Sequence, residues 1–252
     1  MTLHLIRLPI RISALARWGG DRGWVQGKHG TFDEGRALHH LLSETFGKGI
    51  AQPFRLLVPP RANTGNLYAY STNTAAVLRA TAHAIALPEH LSVLDIGALE
   101  DKPMPTIWTT GQRLGFDLLA RPVRRLNAAV SGFAKGAEVD AFLAYVLQHD
   151  PDSSDDHHER RREAVYLDWL AERLEGSAKL DRATAKMTGF RRRRVARGGA
   201  GPEGPEATLQ GTFEVQNPEL FAAMLARGVG RHRAYGYGML LLRAPNRPSM
   251  DR

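Results

Sequence analysis

A chain of 252 residues, 43% apolar and 24% charged, is long enough for one large or two small globular domains built on real cores. Lys and Arg number 34 against 26 Asp and Glu, and this formal charge of +8 favours a polyanionic partner, nucleic acid before membrane. The lack of cysteine excludes disulfides, thiolate metal sites and a cysteine nucleophile; no apolar run nears the roughly 20 residues of a bilayer span, and residues 1–9 lack signal-peptide character, so a soluble cytoplasmic protein is expected.

The first strand is expected over residues 3–12, where His4, Ile6, Leu8, Ile10 and Ile12 share one face at period two. A Gly-rich connection through Gly19, Gly20, Gly23, Gly27 and Gly30 follows. Asp33 caps a helix that runs to Phe46 and stops at Gly47, its buried side being Leu38, Leu41, Leu42 and Phe46. Phe54–Val58 and Leu67–Ser71 read as strands separated by Pro59-Pro60 and Asn63-Thr64-Gly65, Ala75–Ala86 as a helix, and Leu91–Ile96 as a fourth strand. Near residue 105 the pattern restarts. Leu114, Phe116 and Leu118 alternate in a strand, Val139 to Leu147 and Tyr166 to Leu174 carry helical stripes, and Thr208–Val215 alternates again. Asn217 caps a helix with Pro218 at its first position and Gly228 after its end, and Met239–Leu242 closes the series.

This order predicts an α+β chain of two tandem ferredoxin-like (RRM-like, βαββαβ) domains, 1–105 and 106–252. The second is expected to carry a helical insertion at about 135–165 and a mobile basic loop at about 186–206.

The segment Gly228-Val-Gly-Arg-His-Arg-Ala-Tyr-Gly-Tyr-Gly238 can bring backbone N–H groups and guanidiniums close to phosphates, or can be a Gly-rich turn with solvated arginines. It is neither a dinucleotide fingerprint nor a Walker A loop, because it leaves a helix for a strand and lacks Gly-Lys-Ser/Thr. On the first long helix, His39 falls at the border of the buried side, Arg36 lies one turn back on the same flank, and His40 points further into solvent. A border histidine is either a packed residue or a proton carrier. Arg191-Arg192-Arg193-Arg194, with Arg197, is either a solvated strip or a set of phosphate contacts. His157-His158-Glu159 beside Asp155 and Asp156 matches no ligand spacing, so no metal site is expected. Phe190 and Tyr235 can stack on a base or simply pack.

Four stretches in order resemble the CRISPR repeat-RNA endoribonucleases of the RAMP superfamily. They are Arg36-Ala-Leu-His39-His40-Leu-Leu42 with Phe46, Gly111-Gln-Arg-Leu-Gly-Phe-Asp-Leu-Leu-Ala-Arg121-Pro122-Val-Arg124-Arg125-Leu126, Leu209–Leu225, and Gly228–Leu242. The first resembles the type I-E (CasE-like) helix motif, while the helical insertion and arginine richness fit the type IV branch at least as well. The resemblance implies a metal-independent cut of precursor RNA at the repeat stem-loop, without a cofactor, by attack of the 2′-hydroxyl. It also implies 2′,3′-cyclic phosphate and 5′-hydroxyl ends, with the product crRNA retained among other effector-complex subunits and no membrane partner. Carried onto this chain, it implies His39 as the catalytic histidine, and Arg36 and Arg22 join it as candidate catalytic cations read from their charge and position. RNA contacts would come from Arg231, Arg233, His232, Gly228 and Gly230 of the Gly-rich segment, from Arg121, Arg124 and Arg125 of the second stretch and, read from charge alone, from Arg191, Arg192, Arg193 and Arg194. Type I-E enzymes usually have a tyrosine three residues before the histidine, where this chain has Arg36; arginine stabilises an anion but serves poorly as a base. A non-catalytic RNA-binding subunit is therefore the alternative, and a small-molecule enzyme on the same scaffold lacks any cofactor motif.

Overall fold

In a computed structural model, which describes residues 2–26, 31–130, 132–149, 158–194 and 203–245, the chain builds two four-stranded antiparallel sheets in succession. The first comes from β1 (His4–Arg11), α1 (Ile12–Asp21), a short ladder of β2 (Val25–Gln26) and β3 (Thr31–Phe32), α2 (Glu34–Phe46), β4 (Phe54–Leu57), β5 (Thr64–Ser71), α3 (Ala75–Ile85), α4 (Pro88–Val93) and β6 (Glu100–Pro103). Its order is β4-β5-β1-β6. The alternation of β1 does what period two requires, since Ile6, Leu8 and Ile10 are buried in the core.

Two expectations fail in this half. Where a Gly-rich connection was expected stands α1, which buries Ala14, Leu15 and Trp18. Gly19 belongs there because a Cβ would lie 2.5 Å from a ring carbon of Phe32, so glycine lets the helix close on its neighbours. Of the expected strand at Leu91–Ile96, Leu91–Val93 belong to α4, begun by Pro88 in its first turn, Leu94 makes a single bridge to Ile10, and the fourth strand is β6 instead. Hydrophobic periodicity cannot reveal Glu100-Asp101-Lys102-Pro103. What places it on the sheet edge is charge: Glu100 meets Arg7 at 2.9 Å and Asp101 meets His4 at 2.6 Å.

The second half comprises β7 (Arg113–Ala120), β8 (Val123–Arg125), β9 (Glu138–Asp140), α5 (Ala141–His149), α6 (His158–Leu174), β10 (Ala178–Arg194), β11 (Glu203–Val215), α7 (Pro218–Arg227), a 3-10 turn at Arg233–Tyr235 and β12 (Leu240–Arg243). Its sheet order, β10-β11-β7-β12, repeats the arrangement of the first, so both halves are ferredoxin-like. Asn217 accepts hydrogen bonds from the N–H groups of Glu219 and Leu220, the cap that the sequence predicts. The expected insertion resolves into the β8–β9 hairpin and α5, with Val139 in β9 rather than in a helix. Helix α6 is the crossover helix proper, burying Tyr166, Trp169, Leu170 and Leu174.

Where a mobile loop was expected at 186–206, residues 186–194 and 203–206 are instead the outer ends of β10 and β11, the two strands of a long β-hairpin paired from Ala178↔Val215 to Arg194↔Glu203. Arginines hide a strand from a hydrophobic-period reading, and here Arg191 stands opposite the buried Glu206. Residues 195–202, with Arg197, and residues 150–157, with Asp155, Asp156 and His157, lie outside the described residues.

The two halves share a packed boundary. Tyr70 of β5 is buried in the second core, where its hydroxyl donates to the Leu240 carbonyl at 2.8 Å. The nearly buried Arg55 of β4 pairs with Asp117 of β7, which also accepts from Gln210 at 2.6 Å. Among the described residues no helix is long and apolar enough to cross a membrane.

Candidate active site

Helix α2 starts where Asp33 accepts from the Arg36 N–H, and it buries Ala37, Leu38, Leu41, Leu42, Thr45 and Phe46. That leaves His39 and His40 half-exposed along its border. They face different neighbours. His40 stacks on Trp24 with ring centres 4.7 Å apart, and Arg36 sits over the same indole at 5.4 Å. His39 turns the other way, onto Tyr235 of the second domain at 5.2 Å. Gly35 permits this approach, because a Cβ on it would stand 2.7 Å from the Tyr235 carbonyl oxygen.

Burial holds the His39 pKa below its ordinary value of 6.5, and the charges of His40 and Lys48 push the same way. Its Nδ1 is buried without a hydrogen-bond partner, so the imidazolium gains nothing from that side. His39 is thus a neutral imidazole at pH 7, able to accept a proton.

The Gly-rich segment is shaped by packing as much as by any ligand. A side chain on Gly230 would stand 2.9 Å from the Trp169 ring, and one on Gly228 would stand 3.0 Å from Pro53. His232, at φ 60°, opens the 3-10 turn that delivers Tyr235 to α2. Arg231 and His232 both reach Glu138 of β9, the former at 2.6 Å. The hydrogen bond from His232, outweighing burial and joined by the charges of His232 and Arg231, lowers the Glu138 pKa to about 2. Arg233 donates to the Arg227 carbonyl at 3.0 Å, and burial and the Arg227 charge lower its pKa.

These residues flank a cleft of about 800 Å³ between the halves, lined by Arg121, Arg125, Arg227, Arg231, Arg233 and Tyr235 among others. Glu138 is the one carboxylate among its lining residues. Arg121 is nearly fully buried, and its Nε and Nη1 have no partner. The cleft therefore concentrates positive potential beside the His39–Tyr235 contact.

A family model described as "CRISPR associated protein" matches residues 3–244. The chain belongs to the CRISPR-associated protein family. No curated protein sequence matches it significantly. Among solved structures, Thermus thermophilus Cse3 bound to an RNA representing a pre-cleavage complex superposes with a TM-score of 0.64 at 21% identity, covering 96% of this chain and all of that one. Cse3 bound to a 19-nucleotide RNA gives 0.65 at 21%, covering 97% and 100%. Cas6e from Escherichia coli K-12 gives 0.57 at 13%, covering 96% and 100%. These likenesses establish a common fold.

In this CRISPR-associated protein the arginines singled out from sequence separate into distinct groups. Arg36 has no carboxylate partner among the described residues, and it lies on the Trp24 side of α2. Arg22 caps the end of α1 rather than a loop; it lies 4.0 Å over the Trp18 ring, with Glu89 at 2.5 Å and Glu44 at 3.8 Å. Arg124 is drawn away from the cleft to Glu172 at 2.5 Å, while Arg125 lines the cleft. On the hairpin, Arg191 and Arg193 share the buried Glu206, which also accepts from Tyr237 at 2.7 Å, whereas Arg192 points to solvent. Burial opposes ionisation of Glu206, yet the hydrogen bonds from Tyr237 and Arg191 and both arginine charges hold its carboxyl below the usual range. Of Arg194 only the backbone, at the hairpin end, is described. Phe190 packs on Arg162 at 4.4 Å. The residues that sequence reading passed over are Trp24, Lys48, Glu138, Glu206 and Arg227. Only Arg227 carried a local signal, a cation in the last helical turn before Gly228.

Proposed function

We propose that this protein is a metal-independent endoribonuclease that cuts CRISPR precursor RNA at the repeat stem-loop and keeps the crRNA bound within an effector complex. The observation that carries the proposal is the neutral, half-exposed His39 set beside an arginine-lined cleft at the junction of two ferredoxin-like domains. The RNA-bound state of the Cse3 structures on the same fold supports an RNA ligand. In the proposed reaction His39 takes the proton of the 2′-hydroxyl, that oxygen attacks the adjacent phosphorus, and the P–O5′ bond breaks. Cleft arginines stabilise the extra charge of the phosphorane. The ends formed are a 2′,3′-cyclic phosphate and a 5′-hydroxyl.

The bare Nδ1 of His39 favours a second reading, a passive RNA-binding subunit, because catalytic imidazoles are normally oriented by a hydrogen bond at the other nitrogen. Cleavage of a repeat hairpin in EDTA, blocked by a single deoxyribose 5′ of the scissile phosphate with binding retained, supports the nuclease. Tight binding without cleavage of the all-ribose hairpin supports the passive subunit, and cleavage that EDTA stops and magnesium restores overturns the mechanism given.

A further inference from the structure

Transesterification of RNA needs two proton movements, one from the attacking 2′-hydroxyl and one onto the departing 5′-oxygen. His39 accounts for the first. Arginine cannot supply the second well, since guanidinium holds its protons too tightly. Two rings lie against His39, those of His40 and Tyr235; His40 is stacked on Trp24 and is not among the residues lining the cleft, and three observations single out Tyr235. Its ring lies 5.2 Å from that of His39. It lines the arginine-rich cleft, so it stands where His39 and the cations meet. No hydrogen bond of its hydroxyl to another described residue occupies that group, unlike the hydroxyls of Tyr70, Tyr166 and Tyr237, which are committed to Leu240, Asp140 and Glu206.

Its position is also built rather than incidental. The turn that holds Tyr235 is closed by its own N–H donating to the His232 carbonyl at 2.9 Å, and Gly35 receives its carbonyl against α2. Backbone on both sides of the contact is thereby fixed.

We infer that Tyr235 is a catalytic residue, the general acid that protonates the 5′-oxygen; this rests on the endoribonuclease reading. The O2′–P bond forms as the P–O5′ bond breaks. The 2′-hydroxyl proton passes to His39, and the Tyr235 proton passes to O5′, giving a 5′-hydroxyl end. The imidazolium and phenolate so produced are neighbours, and transfer of one proton from His39 to Tyr235 restores both. No oxidant, metal or co-reactant enters the balance.

The test is Tyr235→Phe, which keeps the ring and its packing and removes only the hydroxyl. Single-turnover cleavage of the repeat hairpin should slow by about 10²–10⁴-fold, the usual range for general acid–base catalysis, with RNA affinity unchanged. A second substrate carries sulfur in place of the 5′-oxygen at the scissile linkage. A thiolate leaves without protonation, so Y235F should cut it at the wild-type rate. An unchanged rate on the normal substrate reduces Tyr235 to packing. Equal slowing on both substrates makes it a positioning residue for His39 and overturns the acid role. Failure of the wild type to cut either substrate rejects the nuclease reading itself, and the acid role with it, so the two failures are told apart.

Discussion

Arg193 of the β-hairpin reaches Glu34, in the first turn of the helix that bears His39, at 4.0 Å, while its other anion is the buried Glu206 at 3.4 Å. Burial disfavours its charge, but Glu34, Tyr237 and Glu206 together raise its pKa. This guanidinium thus ties the two domains together, although it belongs to a run that reads in sequence as either a solvated strip or a set of phosphate contacts.

Neighbouring arginines should therefore behave differently. Arg192→Ala should lower RNA affinity and reduce the log–log salt slope by roughly 0.7–0.9 with no change in Tm. Arg193→Ala should cost about 1–3 kcal/mol of stability by leaving Glu206 short of a partner. Thermal melts and salt-titrated binding of the two variants check this; equal effects on both readouts would contradict the division.

The state of His39 sets the pH dependence. Its pKa is depressed below 6.5, so it is the base form that predominates at neutral pH, and acidification removes it. Cleavage should hold steady from pH 8 downwards and decline only below 6.5. His39→Ala should slow single-turnover cleavage by about 10²–10⁴-fold with little change in affinity. Arg36 lies over Trp24 and is not among the residues lining the cleft, so Arg36→Ala should lower affinity while changing the single-turnover rate much less than His39→Ala does. Loss of rate only in arginine variants would shift the chemistry to electrostatic positioning.

Glu138 restrains Arg231 and His232 of the Gly-rich segment. Its removal as Glu138→Gln should release Arg231 and His232 toward the cleft, raise RNA affinity at low salt and steepen the salt slope by up to roughly 0.7–0.9 for each further phosphate neutralised. Because the folded-state pKa of about 2 lies below the ordinary 4.5, the wild-type carboxylate stabilises the fold above pH 4.5, and that stabilisation drains away as pH falls toward 2. Acid unfolding of the variant should start at lower pH than that of the wild type, relative to their stabilities at pH 7.

Arg121 presents the opposite case, a nearly buried guanidinium with two nitrogens unpaired. Such groups cost about 1–3 kcal/mol each when left unsatisfied. Arg121→Met should raise Tm by a few degrees and weaken RNA binding at the same time. A lower Tm would mean that the arginine is a structural element of the fold.

Much of the fold was legible because its strands and helices obey simple periods. β1, α2, α7 and the Asn217 cap appear in the structure where alternation, helical spacing and capping chemistry put them. Most of the misses share one cause, which is that charge or glycine took the place of an apolar signal; Leu91–Val93 and Val139 differ, because a short apolar run fits helix and strand alike. β6 is all polar or proline, the outer end of β10 is arginine-rich, and α1 contains Gly19, which serves packing against Phe32. In the site, the His39 border position and the cationic Gly-rich segment were readable from local pattern. The Glu138 and Glu206 counter-charges and the Tyr235 contact were not, because each joins residues distant in sequence.

The docking of Tyr235 on Gly35 and His39 has a consequence for how the candidate site is assembled. One partner belongs to the first domain and the other to the second, and the buried Tyr70–Leu240 bond that seals the same boundary spans 170 positions. His39 is carried by α2, whereas its partner ring arrives only when the Gly-rich segment docks on that helix. A chain whose second domain is unfolded holds no His39–Tyr235 contact, however well its first domain is formed. Assembly of the candidate site is thus coupled to closure of the domain boundary, where Tyr70 meets β12.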